Sequence, residues 1–275
     1  MLGLTMRRIH FDVTDSTNTQ ARLLAAIHPG ERVLVTAAEQ TAGRGRQGRQ
    51  WLSPRGGAWM TIAWPMRLEP STYRTASLAT AVGVRRALLE LATRGMPAEA
   101  AAFALDVRVK WPNDLLINDA KVAGILCEQS VGAQHGGDAI FIGIGVNVEF
   151  RQEILDEPAS GEPLRHRATT LSNAAGRLVD VSEVVERTAL EVAAAMEQLE
   201  ACGFAGAPAD GGRSLLDELR DALAYVGKIR RWRSPRGDVT GRVLGIDDDG
   251  RLLLEGDAGV IVCDAGELET NDRPR

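Results

Sequence analysis

The residues best suited to chemistry form a run rich in glycine and arginine. Residues 43–51 read GRGRQGRQW, and residues 43–57 contain four arginines and no acidic side chain. Glycine lets the backbone approach a ligand closely, and the planar guanidinium group of arginine matches the oxygens of phosphate and carboxylate groups. The run therefore predicts an anion-binding loop. From this segment alone, a solvated loop or a loop that touches RNA remains an alternative.

A second cluster holds two of the three lysines in a chain whose other basic residues are all arginines. Lys110 begins the motif KWPND, and Lys121 begins KVAGIL. A lysine ammonium group can follow charge that moves between carboxylate and phosphate oxygens during a reaction. Asn113 and Asp114 fall on a predicted turn, from which they could reach a metal-bound nucleotide or orient a cation. The alternative is a surface turn with two solvated lysines.

Two shorter segments also carry polar groups in a suggestive pattern. GIGVNV, residues 143–148, lacks the third glycine and the following helix of a dinucleotide fingerprint. Its paired glycines would let a flat ring approach, and Asn147 offers both a donor and an acceptor. A core strand with a satisfied asparagine is the alternative. The segment 15–18, DSTN, is either a helix cap or a set of groups facing a small polar ligand.

Short strands and amphipathic helices must position these segments. Leu23, Leu24 and Ile27 predict one apolar helix face over residues 17–27, with Ser16 or Asp15 as its cap. Further helices are predicted over 72–94 and 182–199, the latter capped by Ser182, and strands over 33–37, 58–64, 105–110, 122–128 and 139–148. Because strands and helices are mixed without strict alternation, the pattern favours an α+β layer of sheet against helices over a doubly wound sheet.

The pattern changes after a last predicted helix over residues 215–224. Short strands are predicted over 228–233, 239–246, 252–255 and 260–263, and the turn sequences SPRG, DDDG and GDAG separate them. These strands predict a small β-barrel. We therefore expect a catalytic domain over residues 1–224 and a second, small domain over residues 225–275.

Composition excludes several classes of protein. The chain has 44% hydrophobic and 25% charged residues, which is ordinary globular usage, and its net charge of −5 argues against a protein that coats nucleic acid. Three distant cysteines without a CxxC motif suggest neither a disulfide framework nor a zinc site. Four scattered histidines offer no metal-ligand spacing. No apolar run approaches the roughly 20 residues that span a bilayer. We expect a cytoplasmic protein without a membrane partner.

Taken together, the motifs resemble the biotin protein ligase family, also called biotin–[acetyl-CoA-carboxylase] ligase. The matching runs are DSTN at 15–18, QTAGRGRQGRQW at 40–51, KWPNDL at 110–115, KVAGIL at 121–126 and GIGVNV at 143–148. The resemblance implies a class II synthetase-like mixed sheet packed against helices, followed by an SH3-like β-barrel. In one departure, Gln47 stands where many members carry a further arginine. In another, there is no room before residue 10 for the DNA-binding winged helix of bifunctional members, so no DNA partner is expected.

The resemblance also implies a site, residue by residue. The implied catalytic residues are Lys121, Arg44 and Arg46. The implied biotin-binding residues are Ser16, Thr17, Asn18, Gln40, Arg44, Gly45, Arg46 and Lys121. The implied ATP-binding residues are Arg46, Arg49, Trp51, Lys110, Asn113, Asp114 and Asn147, with Asp114 also a candidate ligand of the Mg²⁺ that accompanies ATP. Trp51, Trp59, Trp64 and Trp111 could wall the biotin tail and adenine, although Trp59 and Trp64 fit the apolar core better.

The implied activity joins biotin to ATP as biotinyl-5′-AMP and then to a lysine of a biotin carboxyl carrier protein domain. The expected assembly is a monomer or a homodimer. Five cations between Lys228 and Arg236 form either a solvated strand face or a patch that meets the acidic carrier or the ATP phosphates. Two rival functions remain at this point: a lipoate-type protein ligase of the same superfamily, and a non-catalytic module that binds RNA.

Overall fold

The chain was examined as a computed structural model, which describes residues 6–65, 73–94, 105–130, 138–156, 167–234 and 237–269. The larger part of the chain forms a seven-stranded sheet. Its strands are β1 Arg7–Thr14, β2 Val33–Gln40, β3 Gly57–Pro65, β4 Val107–Lys110, β5 Asp114–Ile117, β6 Ala120–Ser130 and β7 Ala139–Asn147. Its helices are α1 Thr17–Ile27, α2 Tyr73–Thr93, α3 Glu153–Asp156, α4 Leu171–Ala175, α5 Val181–Cys202 and α6 Leu215–Ala222.

The sheet is mixed, in the order β1-β2-β3-β7-β6-β5-β4. Strand β1 pairs parallel with β2, and every other neighbouring pair is antiparallel. The predicted layer of sheet against helices is therefore confirmed. Strand β3 is buried along almost its whole length, as expected for a strand covered on both faces.

Helices cover the two faces of the sheet unequally. Because side chains alternate along a strand, Leu34 joins the large core formed with α2 and α5, while Val33 and Val35 join a smaller core under α1. Helix α1 covers the same residues as predicted, but of its predicted apolar face only Leu24 packs against the core. Leu23 and Ile27 are exposed.

The buried face of α1 consists of small and polar residues, namely Thr17, Asn18, Ala21 and Ala25. Small side chains let this helix lie close to the sheet. At its first turn, the polar residues are held by partners that are distant in sequence. The positions of the large apolar residues therefore do not predict the buried face of this helix.

Sequence patterns also missed two strands of this sheet, the short helices α3 and α4, and one cap. Strand β1 is an edge strand with several charged, exposed residues, and β5 has only four residues after a tight turn. In β1, Ile9, Phe11 and Val13 alternate with polar residues, a strand signal that was overlooked, whereas β5 carries no alternation. The cap of α5 is Asp180 rather than Ser182, because the Asp180 side chain accepts from the Glu183 N–H. The predicted start of α2 at Thr72 lies outside the described residues.

The C-terminal part forms a separate antiparallel sheet of five strands in the order β11-β10-β9-β8-β12. Its strands are β8 Ile229–Ser234, β9 Gly237–Ile246, β10 Leu252–Gly256, β11 Gly259–Cys263 and β12 Glu267–Leu268. The turns at 247–250 and 256–259 lie where they were predicted, whereas Pro235 and Arg236 of the SPRG turn lie outside the described residues. A domain boundary at 224/225 remains a prediction.

The two sheets make direct contacts with each other. Trp111, at the end of β4, donates through its indole Nε1 to the Gly250 carbonyl at 3.1 Å, and Arg220 of α6 pairs with Asp248 at 2.8 Å. Trp111 is thus buried between the two units and does not line a ligand site.

Over the ranges given above, no helix combines the length and the hydropathy needed to cross a lipid bilayer.

Candidate active site

A cavity of about 480 Å³ lies between the glycine- and arginine-rich segment and the strands β6 and β7. All the predicted site residues except Lys110 line it. These are Ser16, Thr17, Asn18, Gln40, Arg44, Gly45, Arg46, Arg49, Trp51, Asn113, Asp114, Lys121 and Asn147. Five runs that are far apart in sequence therefore meet at one place. The volume falls in the range typical of small-molecule sites.

The segment 41–53, here called the arginine loop, folds back on itself. Antiparallel bridges join Gln40 to Ser53 and Arg44 to Gln50, and the Gly45 N–H donates to the Arg49 carbonyl at 2.7 Å. Its tip is a single 3-10 turn with Gln47 and Gly48 at positive φ, 58° and 71°. These internal hydrogen bonds give the arginine loop a defined shape over the cavity.

Of the two glycines in GIGVNV, only Gly145 accommodates a flat ring, that of Trp51, together with Gly124 of the neighbouring strand, whereas Gly143 faces Asn18. A Cβ atom built on Gly145 would lie 2.5 Å from the Trp51 Nε1, and one built on Gly124 would lie 2.8 Å from its six-membered ring. The Lys121 ammonium lies 4.9 Å from the centroid of the ring. Trp51 Nε1 is buried and has no hydrogen-bond partner among the described residues. Trp59 and Trp64, by contrast, are core residues as expected.

The three arginines of the loop differ in whether a carboxylate is paired with them. Arg49 pairs with Glu267 of the C-terminal sheet at 2.9 Å. Arg46 instead donates to the amide oxygen of Asn113 and to the Gly266 carbonyl, both at 3.3 Å, and Arg44 donates to Thr19. Burial lowers the pKa of Arg46 below its usual value, with Glu267 and Asp114 acting in the opposite direction. In the described part of the chain, neither Arg44 nor Arg46 has a carboxylate within salt-bridge distance, so both charges remain available to an anion.

Asp114 lies between the two lysines of the cluster. Its Oδ1 is 2.6 Å from the Lys121 ammonium, and its Oδ2 is 3.6 Å from that of Lys110. Lys110 is almost fully buried behind Asp114, outside the cavity lining, whereas Lys121 is partly exposed toward it. Burial lowers the pKa of Lys110, and Asp114 partly offsets that effect. Asp114 thus orients Lys121 at the cavity wall.

A metal ion fits poorly at Asp114 in this arrangement. Both of its oxygens already face ammonium groups, and these would repel a dication placed between them. Among the side chains that the structure describes, no group of three or more His, Cys, Asp or Glu residues could hold a metal ion. We therefore assign no metal-binding residue.

The polar end of the cavity is formed by the first turn of α1 and its partners. Gln40 Oε1 accepts from the Thr17 backbone N–H at 2.8 Å and lies 3.0 Å from the Thr17 hydroxyl. Ser16, one of the two predicted caps, is the N-cap by backbone geometry, but its side chain makes no capping hydrogen bond, and the Thr17 N–H donates to Gln40 instead. Asn18 donates to Glu128 at 2.8 Å and accepts from Thr61 at 2.6 Å. On the β7 side, Asn147 donates to the Thr169 carbonyl at 3.2 Å.

Sequence reasoning missed several residues that support the cavity. Thr61 is the one hydroxyl-bearing residue of the buried strand GAWMTIAWP, and that isolation within an apolar run is a signal that could have pointed to it. Glu128, Thr19 and Glu267 carry no local signal, because each reaches its partner through the tertiary fold.

Two of the four described cations in the basic run that begins at Lys228 are paired with neighbouring acids. Arg231 pairs with Asp238 at 2.5 Å, Arg233 pairs with Glu269 at 2.6 Å, and Arg230 stacks on Tyr225. This pairing favours a solvated strand face, although a role in binding the carrier stays a prediction. Arg236 lies outside the described residues.

The chemistry of this cavity is that of an anion site with a recognition end. Four cationic side chains, Arg44, Arg46, Arg49 and Lys121, line it against the single acid Asp114. One wall offers amide and hydroxyl groups, and another is formed by the Trp51 indole. No described side chain is placed as a nucleophile with a neighbouring base. The site is suited to holding and activating anionic reactants.

These features define a ligase of the biotin/lipoate class. The family model described as "Biotin/lipoate A/B protein ligase family" matches residues 10–147, and that of the "Biotin protein ligase C terminal domain" matches residues 229–268. The chain belongs to this family, and it falls among the biotin protein ligases.

Named relatives and a solved structure agree with this assignment. The chain is 34% identical to the biotin--[acetyl-CoA-carboxylase] ligase of Paracoccus denitrificans over 260 residues, which cover 93% of this chain and 97% of that protein. It is 33% identical to the bifunctional ligase/repressor BirA of Bacillus subtilis (strain 168) over 267 residues, covering 95% and 73%. Its fold is similar to that of the Aquifex aeolicus biotin protein ligase solved in complex with biotin and ATP, with a TM-score of 0.73, 24% identity and coverage of 96% and 97%.

The contact between Gly124 and the Trp51 ring can be tested by a double-mutant cycle. We expect Gly124→Ala to lower the free energy of unfolding by about 1–3 kcal/mol, because the new methyl group forces the indole out of its place. In a Trp51→Ala background that cost should fall by at least about 0.5 kcal/mol. Urea unfolding measures both values. Gly45→Ala, where the nearest atom is 3.6 Å away, is the matched control. Equal costs in the two backgrounds would contradict the contact.

The buried charges predict a pH-dependent stability. Asp114→Asn should lower the free energy of unfolding by about 3 kcal/mol at neutral pH, because it leaves Lys110 without the carboxylate that offsets its burial. In the variant, the pKa of Lys110 in the native state falls further below its unfolded value. The unfolded chain therefore binds more protons than the native chain over a wider pH range below 10.5. Stability of the variant should therefore rise with pH more steeply than that of the unmodified protein.

Urea unfolding at neutral pH and near the ordinary lysine pKa measures this difference. The exposed Asp106→Asn, on the same hairpin, should change stability by less than about 0.5 kcal/mol at either pH. If the loss of unfolding free energy in Asp114→Asn grew as the pH rises, Asp114 would not be the group that offsets the burial of Lys110.

Proposed function

We propose that this ligase activates biotin with ATP to biotinyl-5′-AMP and transfers the biotinyl group to a lysine of a biotin carboxyl carrier protein domain. The observation that carries the proposal is the convergence of Arg44, Arg46 and Lys121 on one cavity whose far end presents amide and hydroxyl groups. The three cationic side chains suit phosphate and carboxylate, and the amide and hydroxyl groups suit the urea group of biotin's ring.

The first step must bring two anions together. The biotin carboxylate attacks the α-phosphorus of ATP, an oxygen–phosphorus bond forms, and the bond to pyrophosphate breaks. Two unit charges about 4 Å apart repel each other by about 4 kcal/mol at the effective dielectric of a protein surface. Cations fixed in advance around the reacting groups offset this repulsion and stabilise the charge that develops on the phosphoryl oxygens.

The geometry supports separate roles for the three cations. Lys121, oriented by Asp114, faces the cavity as a point charge that can follow the moving charge. Arg46 is held at the cavity by the neutral groups of Asn113 and Gly266, and Glu267 and Asp114 only partly offset its charge from beyond salt-bridge distance. Arg44 is exposed at the mouth and can reach a phosphate as it enters. Catalysis then consists of positioning and electrostatics, without a covalent enzyme intermediate.

The second step needs an amine rather than another enzyme group. The carrier lysine, as the neutral amine, attacks the acyl carbon of the mixed anhydride. A carbon–nitrogen bond forms, AMP leaves with the bridging oxygen, and the amine loses a proton. The arginine loop above the cavity would exclude water from the anhydride until the carrier arrives. We propose that Mg²⁺ enters with ATP as part of the substrate, and that the protein works in the cytoplasm as a monomer or a homodimer.

Two rival functions are less well supported. An RNA-binding role would use Arg44 to Arg55 as free surface cations, but Arg49 pairs with Glu267, and Arg55 pairs with Asp12. A lipoate ligase would share Lys121 and the adenylate chemistry, but lipoate offers no urea group to the amide and hydroxyl end of the cavity. Competition between biotin and lipoate distinguishes the two ligases.

The proposed function is tested by incubating the protein with biotin, MgATP and a biotin carboxyl carrier domain, and measuring the intact mass of the carrier. We expect one biotinyl group per carrier, dependent on ATP, and excess lipoate should not compete. Pyrophosphate release without any carrier isolates the first step. Modification of the carrier by lipoate in preference to biotin would overturn the assignment.

Replacement of Lys121 tests the role of its charge. Lys121→Ala should slow biotin-dependent pyrophosphate release at least tenfold, equivalent to about 1.4 kcal/mol of transition-state stabilisation. Arg55→Met is the matched control, because Arg55 lies just beyond the arginine loop but is paired with Asp12 and Glu39 outside the cavity lining. It should stay within about twofold of the unmodified rate. An unchanged rate in Lys121→Ala would remove this lysine from the mechanism.

A further inference from the structure

The polar end of the cavity contains two side-chain amides whose orientation decides what a ligand meets. Gln40 and Asn18 both line the cavity, and each can present either a carbonyl oxygen or an NH₂ group. A ligand with N–H donors binds only where an acceptor faces it. Whatever determines the orientation of these amides therefore sets the specificity of this end.

The backbone determines the orientation of Gln40. The Thr17 backbone N–H can only donate, so the Gln40 group that faces it must be Oε1, at 2.8 Å. Its Nε2 then donates to Ser53 Oγ at 2.8 Å, and Ser53 donates to the Trp51 carbonyl at 3.1 Å. This part of the network has one direction that no side-chain rearrangement reverses.

Asn18 has no such backbone partner. On one side it meets Thr61, whose hydroxyl lies 2.6 Å from Asn18 Oδ1 and 2.8 Å from Thr17 Oγ1. A hydroxyl group can donate or accept. If Asn18 turned over, its Nδ2 could donate to Thr61, and Thr61 could donate its own proton to Thr17 instead. Thr61 is therefore compatible with both orientations of the Asn18 amide and does not determine which one is present.

Glu128 determines the orientation of the Asn18 amide. Its carboxylate can only accept, and Asn18 Nδ2 donates to it at 2.8 Å. Asn18 Oδ1 is thereby directed toward Thr61 and Gly143, where the absence of a Cβ on Gly143 makes room for it. Arg22 lies 3.4 Å from the same Glu128 oxygen and stacks over Phe141, which keeps the carboxylate in place. Glu128 does not itself line the cavity.

We propose that Glu128 is a positioning residue for the reaction: it fixes Asn18 with its carbonyl oxygen as an acceptor for an N–H of the ligand's urea group. This inference rests on the proposed function, because it takes the ring of biotin as the group bound at this end. It predicts the effect of removing this acceptor. In Glu128→Met, Asn18 Nδ2 loses the oxygen to which it donates, and the amide turns over to donate to Thr61 instead. Glu128→Gln keeps a carbonyl oxygen at the position that both Asn18 and Arg22 contact, so it keeps the orientation of Asn18.

The test compares the kinetics of biotin-dependent pyrophosphate release. Glu128→Met should raise KM for biotin at least fivefold, with kcat at saturating biotin and KM for ATP within twofold of the unmodified values. Glu128→Gln, which keeps the acceptor oxygen, should leave KM for biotin within twofold. KM for desthiobiotin, which keeps the urea group, should rise by a similar factor. Two controls separate other causes: Arg22→Met removes the ion pair of Glu128, and Glu39→Gln removes a negative charge next to Gln40. Both should leave KM for biotin within twofold.

A double-mutant cycle decides whether Glu128 acts through Asn18. In an Asn18→Ala background, Glu128→Met should have no further effect on KM for biotin. Additive effects, an unchanged KM in the single variant, or an equal fall in kcat would each overturn the inference. Failure of the proposed function is distinguishable, because the unmodified protein would then release no pyrophosphate in response to biotin. Urea unfolding, measured alongside, should place the unfolding midpoint of Glu128→Met within about 0.5 M of the unmodified value.

Discussion

The structure depends on the management of positive charge around one cavity. Two lysines and the arginine loop are brought together, and a single buried carboxylate, Asp114, lies between the lysine ammonium groups at 2.6 and 3.6 Å. Without that carboxylate, Lys110 and Lys121 would repel each other in a region of low dielectric, and the desolvation of Lys110 would be harder to offset. With it, Lys121 is held at the wall while Arg44 and Arg46 keep charges that no carboxylate neutralises. The cavity is consequently cationic where anions must meet and still compatible with a stable fold.

The arginine loop depends on both sheets of the molecule. On one side, Trp51 lies against Gly124 and Gly145, so two neighbouring strands supply a flat floor for its ring. On the other side, Arg46 and Arg49 reach Gly266 and Glu267 near strand β12. The C-terminal sheet is therefore more than an appended unit, since it supplies partners to the tip of the loop. An anion that draws these arginines into the cavity must compete with those partners, which couples ligand binding to the contact between the two sheets.

The recognition end of the cavity follows a different physical rule from the cationic end. Charges act over several ångströms and tolerate small displacements, whereas amide and hydroxyl groups discriminate only through the direction of their hydrogen bonds. One direction is imposed by the Thr17 backbone and the other by the Glu128 carboxylate. The small and polar face of α1 has the same origin, because this helix must approach the sheet closely enough for Asn18 to contact Gly143 and Thr61.

The sequence by itself determined the class of fold, most of the helices and strands, and which short runs carry the chemistry, since these depend on local periodicity, turn residues and motif spacing. It misplaced most of the buried face of α1 and the cap of α5. It also missed β5 and β12, which are too short for a periodic signal, and β1, whose alternation of apolar and polar residues was overlooked. Only the tertiary structure decided that Lys110 lies behind Asp114 outside the cavity lining, that Trp111 belongs to the contact between the sheets, and that Glu128 and Glu267 support the site. Those placements arise from contacts between residues far apart along the chain, and no local pattern of residue types encodes such contacts.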